Sequence, residues 1–130
     1  MTKLYDPIEQ LRPMLPRWLL RALDECGLCD IEEIRVRTGR PVQFTGVTGE
    51  ALSDVVADEA MCEALLENLC EHSVAVRERE LAQGFITVRG CRVGICGHAV
   101  AMGREVKRYS GVTGFNIRLA REVRDCALEA

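Results

Sequence analysis

The stretch GFITVRGCRVGICGHAV, Gly84 to Val100, sets four glycines, two cysteines and a histidine within seventeen residues. Cysteine and histidine are the ligands of zinc and the nucleophiles of redox chemistry, and glycine-rich loops cradle phosphates. Read as one strand, Cys91 to Val100 sends alternate side chains to opposite faces. Cys91, Val93, Ile95, Gly97 and Ala99 share the apolar side, and Arg92, Gly94, Cys96, His98 and Val100 share the other. Cys96 and His98 then converge, while Cys91 joins them only if a bulge shifts the register. Two ligands do not make a zinc site. Cys26-Gly-Leu-Cys29 supplies a C-x-x-C, which is half of a zinc site, a redox pair, or the loop that ends a helix. No second C-x-x-C completes it. Cys26, Cys29, Cys96 and His98 remain weak metal candidates, and the expectation is that no metal is held.

Phosphate and acid–base chemistry fare no better. Gly90, Gly94 and Gly97 do not follow G-x-G-x-x-G and do not lie between a strand and a helix. No G-x-x-x-x-G-K-[ST] occurs, and Lys3 and Lys107 are the only lysines. The two histidines, His72 and His98, have no arranged serine or H-x-x-x-H partner, and no carboxylates are spaced as an acid–base pair. Gly90 fits the turn of a hairpin, and Gly94 and Gly97 fit close backbone passage or a bulge. The stretch therefore reads as a hairpin, and the chain as non-catalytic.

The elements around it follow from periodicity. Leu15 to Gly27 predicts a helix with an apolar stripe of Trp18, Leu19, Ala22 and Leu23. Ile34 and Val36 alternate with Glu33, Arg35 and Arg37, and Val42 and Phe44 resume the pattern after Thr38-Gly39-Arg40-Pro41, which predicts a hairpin. Asp58 to Glu71 predicts a helix with Met61, Cys62, Leu65, Leu66, Leu69 and Cys70 on one face and Glu59, Glu63, Glu67 and Glu71 on the other. Ser73 to Gly84 predicts a shorter helix. Three strand candidates follow, FITVR, CRVGICGHAV and GFNIRLAREV, with Ala101 to Gly111 as a basic loop. The expected order is helix, two strands, two helices, three antiparallel strands, which is an α+β fold.

The totals set the class. A chain of 130 residues, 48% hydrophobic and 28% charged, is the size and composition of one globular domain. No apolar run approaches the roughly 18 residues of a membrane span, and the N-terminus lacks a signal-peptide core. Seven cysteines, an odd number, suit reduced core residues in the cytoplasm. The net charge of −3 divides unevenly: Met1–Gln83 carries −7 and Gly84–Arg124 carries +6. Such asymmetry marks either a surface for an anionic partner or two halves that neutralise each other within one fold.

Three blocks taken together resemble the N-terminal region of the stage III sporulation protein AA family: IEEIRVRTGRPV, LAQGFITVRGCRVGICGHAV and FNIRLAREVRDCA. They cover most of Ile31 to Ala127. The Gly90-Cys91 hairpin is one residue tighter than the family pattern. The resemblance implies a region joined to a RecA-like ATPase domain that binds ATP and Mg, similar to the hexameric motors of type II and type IV secretion and pilus retraction. It implies a PAS-like form for this region and packing against the ATPase domain of the same or a neighbouring subunit. Residues 1–122 would be the ring-interface domain, and 123–130 the start of a linker to an ATPase domain beyond Ala130. By that analogy Arg118 and Arg121 would approach nucleotide at the subunit interface; the plainer alternative pairs Arg118 with local carboxylates and leaves Arg121 in a solvated linker. The parent would sit on the cytoplasmic side, peripheral to a mother-cell/forespore membrane complex, with that complex's membrane-embedded components as partners. The rival class is a stand-alone nucleic-acid-binding α+β module. Against it stand a pI near 5.5 and only Phe85, Tyr109 and Phe115 as aromatics in the basic half.

Overall fold

In a computed structural model, residues 7–70, 77–101 and 109–119 are described, the stretches 98–101 and 109–110 by backbone alone. The chain opens with a short helix, α1 (Pro7–Leu11), which runs into a 3-10 turn at Arg12–Met14. Helix α2 (Arg17–Glu25) follows, entered through Pro16, whose fixed φ suits a helix start. It buries Leu19, Ala22 and Leu23 with Trp18 packed beside them, the stripe that the sequence periodicity marks out. Strands β1 (Ile31–Arg37), β2 (Pro41–Gly46) and β3 (Gly49–Val56) form a meander. Helix α3 (Glu59–Leu69) is capped by Asp58, whose carboxylate accepts the Met61 amide at 2.8 Å, satisfying a donor that the helix itself leaves open. A one-and-a-half-turn helix, α4 (Glu78–Ala82), leads to β4 (Phe85–Val88), β5 (Cys91–Ala101) and β6 (Tyr109–Arg118).

The six strands form one antiparallel sheet in the order β3-β2-β1-β6-β5-β4. The fold is α+β, as the alternating segments predict. Four details differ from the sequence expectation, the first being that α1 and the 3-10 turn precede the helix expected to open the chain. Strand β3 was not anticipated, because GEALSDVV lacks clean alternation and buries little. Strand β6 starts at Tyr109, so the segment read as a loop from Ala101 to Gly111 is strand at both ends. Helix α4 covers only Glu78–Ala82 of the segment Ser73 to Gly84; Ser73 and His72 lie outside the described residues.

One apolar core joins the sheet to its helices. Ile34, Val36, Val42, Phe44, Ile86, Val88, Cys91, Val93, Phe115 and Ile117 from the strands meet Leu19 and Leu23 of α2 and Cys62, Leu65, Leu66 and Leu69 of α3. The described core contains no buried polar or charged residue. Among the described residues packing is one-sided: this face of the sheet is covered by helices and the opposite face is not. Strand edges are handled differently. At β4 the backbone of Thr87 is capped by side chains of the preceding segment, its N–H donating to Glu80 Oε2 at 3.2 Å and its carbonyl accepting from Arg77. That removes an open ladder position, the usual liability of an edge strand.

Two glycines are required by close approach. Gly97 sits at φ +89 in a bulge of β5, and a β-carbon there would lie 2.3 Å from the Gly111 carbonyl oxygen. Gly114 has ordinary φ, but a β-carbon would lie 2.3 Å from the Val36 oxygen and 3.0 Å from Arg37 Cδ. The turn between β4 and β5 has positive φ at both Arg89 and Gly90, the twist a two-residue hairpin needs. No helix among the described residues is long and apolar enough to cross a membrane.

Candidate functional site

Directly paired residues in an antiparallel ladder project to the same side of the sheet. The strand register therefore maps the uncovered face. One row across it reads Glu50, Thr45, Glu33, Arg118, Arg92, Thr87 from β3 to β4. The next reads Leu52, Gln43, Arg35, Asn116, Gly94, Phe85, and a third contains Arg37, Gly114 and Cys96. All of these except Gly114 are partly or fully exposed. The first row is acidic on the β3 side and basic on the β5–β6 side. Four arginines, Arg35, Arg37, Arg92 and Arg118, lie on three adjacent strands.

Their environments differ. Arg37 is fixed flat against the sheet: its guanidinium donates to the carbonyls of Val36 (3.0 Å) and Phe115 (2.9 Å) and to Asn116 Oδ1 (3.0 Å). The missing side chain at Gly114 leaves the space its stem crosses. Arg92 lies over the Phe85 ring, 4.5 Å from its centroid, a cation–π contact that holds the charge at the surface without neutralising it. Arg35 makes one exposed contact, 3.5 Å to Glu33. Arg118 stands directly opposite both Glu33 and Arg92, yet has no ion pair among the described residues. Like charges directly opposite on a ladder oppose pairing. At about 5–6 Å in water the repulsion is about 0.7 kcal/mol. Glu33, opposite Arg118 on its other side, offers an attraction of about the same size.

The sequence candidates separate on this map. Arg118 lies at the centre of the open face; Arg121 lies outside the described residues. Cys96 is half-exposed on the same face, at the end of the third row. Strict alternation stops there, because the register shifts at Gly97, so a common side for Cys96 and His98 no longer follows; the His98 side chain lies outside the described residues. Cys26 and Cys29 are at the end of α2, distant in the chain and the sheet from Cys96, with Cys26 Sγ accepting the Leu28 amide at 3.5 Å. Among the described residues no three His, Cys, Asp or Glu side chains are grouped to hold a metal ion. Cys62 and Cys70 are core thiols. Burial raises the Cys62 pKa, partly offset by Thr38, whose hydroxyl is 3.6 Å from the sulfur. Burial pushes Cys70 up to about 11. Neither is poised as a nucleophile at neutral pH.

Arg35, Arg37 and Arg92 were not singled out by sequence. Their outward direction follows from alternation, but their mutual approach depends on β1 pairing with β6 across 77 or more residues of chain, which no local pattern encodes.

Comparison with known proteins bears on the whole chain. A family model described as "Sporulation stage III, protein AA" matches residues 7–130. Stage III sporulation protein AA of Bacillus subtilis (strain 168) is 29% identical over 119 residues, covering 88% of this chain and 39% of that protein. The chain thus spans about two fifths of the length of the curated relative it matches. No solved structure matches it.

Proposed function

This chain belongs to the sporulation stage III, protein AA family, and from that premise we propose that it is the non-catalytic N-terminal interaction domain of a sporulation-type secretion ATPase. The domain would be PAS-like in form and occupy residues 1–122, with 123–130 beginning a linker to an ATPase domain. The parent would bind ATP and Mg, assemble as a hexamer, and work against membrane-embedded components of a sporulation complex from the cytoplasmic side. In this reading the open face of the sheet docks on an acidic or phosphate-bearing surface of the ATPase domain of the same or a neighbouring subunit.

The observation that carries the reading is the directly opposed pair Arg92–Arg118, neither of which makes an ion pair among the described residues, on a face that no described element covers. An anion placed between them removes their repulsion and gains charge-assisted hydrogen bonds from two guanidinium groups. Arg35 is diagonal to Arg118 across the β1–β6 ladder, about 7–8 Å away by ladder geometry, and supplies a third cation. Arg121, three residues beyond Arg118 in the chain, would be the further cation near nucleotide in this reading.

Two measurements test this. Reading the gene past the codon for Ala130 should reveal G-x-x-x-x-G-K-[ST] within about fifty codons; a stop codon at that point removes the motor reading. In the full-length protein, Arg118→Glu should lower ATP turnover at least about tenfold, the scale of an interface charge reversal, while the melting temperature holds. Unchanged turnover would remove the open face from the motor interface.

A further inference from the structure

We propose that the open face of the sheet is self-complementary and pairs face to face with the same face of a second copy of this chain. The inference does not rest on the motor reading, since the pair forms or fails with this chain alone.

The argument is the order of residues across the sheet. The strand order β3-β2-β1-β6-β5-β4 has its midline between β1 and β6. A two-fold axis along that midline, lying between two stacked sheets, sets β1 of one copy over β6 of the other and β3 over β4. The first row then reads against its own reverse. Glu33 meets Arg118 of the second copy, and Arg118 meets Glu33 of the second copy. Thr45 meets Arg92, and Glu50 meets Thr87. In the next row Arg35 meets Asn116, Gln43 meets the bare backbone at Gly94, and Leu52 meets Phe85.

Each match answers a feature of the single chain. Arg118 has no ion pair among the described residues, and Glu33 has only a 3.5 Å contact to Arg35. Leu52 is a large apolar side chain 69% exposed. It borders a shallow depression lined by Gln43, Glu50 and Ala51, and the β4 edge of the second copy passes over it. At Gly94 a β-carbon would have its nearest neighbour at 3.7 Å, so nothing among the described residues demands glycine there. A flat spot facing Gln43 of another copy gives it a use.

Geometry and size permit the pair. Aligned sheets stack about 10 Å apart and cross at about 30°, which keeps the central Glu33–Arg118 and Arg35–Asn116 matches near the axis and slides the β3 and β4 flanks past each other by about one row, so the central matches carry the pairing. Two rows across six strands and a third across three cover about 490 Å². That is roughly 1,000 Å² buried over both copies, the size of a weak specific association. The match is isologous, so each contact occurs twice and the assembly closes at two copies.

Sedimentation equilibrium of the 130-residue chain tests this. At about 50 mM salt and tens to hundreds of micromolar protein the mass should rise toward twice 14.5 kDa, and salt near 0.5 M should weaken pairing about tenfold. Arg118→Glu and Glu33→Arg should each weaken it at least about tenfold, because the axis makes every substitution count twice. Mixed together, the two variants should associate again as a heterodimer, since each then presents the charge the other lacks. A role confined to one chain gives no such rescue. If either reversal lowers the melting temperature sharply, Arg118→Gln and Glu33→Gln replace them, with loss of pairing expected for each alone and partial recovery on mixing, since the mixed pair regains one of its two Glu33–Arg118 contacts. Wild type that stays monomeric at about 1 mM, reversals that pair like wild type, or folded reversals that fail to associate when mixed would each overturn the proposal. So would a monomer whose Arg92 and Arg118 amide resonances shift only on adding polyphosphate, which would give the face an anion as occupant.

Discussion

Two glycines on the open face should respond to the same substitution with opposite sign. Gly114 and Gly94 lie one residue row apart, Gly114 opposite Cys96 and Gly94 opposite Asn116. A β-carbon at Gly114 would sit 2.3 Å from the Val36 oxygen, 3.0 Å from Arg37 Cδ and 3.3 Å from Arg37 Cα. An ordinary carbon–oxygen contact lies about 1 Å farther out. Strands β1 and β6 must part by most of that ångström, because the crowded atom is backbone. Overpacking of this kind costs about 1–3 kcal/mol. Arg37 must also leave the carbonyls of Val36 and Phe115, and each lost hydrogen bond adds about 1 kcal/mol. Gly114→Ala should therefore destabilise by about 3 kcal/mol, lowering the midpoint of thermal unfolding by about 10 °C at this chain length. At Gly94 the nearest atoms to a β-carbon are Asn116 Cβ at 3.7 Å and O at 3.8 Å. Gly94→Ala should stabilise by about 0.4–1 kcal/mol, by restricting the unfolded chain. Urea unfolding followed by the fluorescence of Trp18, the sole tryptophan, reads both. A Gly114→Ala variant within about 1 kcal/mol of wild type would refute the reasoning, as would a Gly94→Ala variant equally damaged.

Cys70 holds its proton in the core with a pKa of about 11 against an ordinary 9.0; its contribution is fully present below pH 9 and is lost as pH rises through 11, so stability should fall by up to about 2–3 kcal/mol across that window. In Cys70→Ala the decline should be shallower, read by urea unfolding at pH 8, 9, 10 and 11. At the outer edge of β4, Glu80→Ala removes the acceptor for the Thr87 amide, and hydrogen exchange at that amide should accelerate at least about tenfold while exchange in β1 is unchanged.

The covered side of this fold was legible because burial writes a period into sequence. Leu19, Ala22 and Leu23 recur at helical spacing in α2, Ile34 and Val36 at strand spacing in β1, and Leu65, Leu66 and Leu69 along α3. The same logic failed at β3, where Glu50, Leu52 and Asp54 face outward and Ala51 and Ser53 give the inner side little apolar signal. Alternation in β5 held through Cys96 and broke at Gly97, where the glycine was visible but the register shift depends on how closely the Gly111 carbonyl passes. The arrangement of the open face was not legible at all. Arg35, Arg92 and Arg118 are each ordinary outward residues of their own strands, and they become a cluster only because β6 inserts between β1 and β5. Strand order is set by long-range pairing, and no local window of sequence contains it.

The two occupants proposed for that face share their arginines, so reversing Arg118 weakens both and separates neither. Glu33 separates them. In the face-to-face pair its carboxylate is needed, because it meets Arg118 of the second copy twice over. In docking on an acidic or phosphate-bearing surface it is an obstacle, being the one acid beside Arg118 and Arg35 at the midline. Glu33→Arg should therefore abolish self-association of the isolated chain and leave docking on an anionic neighbour unchanged or strengthened, since it adds a cation to the row. Retained ATP turnover in a full-length Glu33→Arg protein, with lost pairing in the 130-residue chain, would mean that pairing closes the face and docking opens it. Loss of both would mean that Glu33 holds Arg35 in place for either partner, and the 3.5 Å contact between them would then matter more than its exposure suggests.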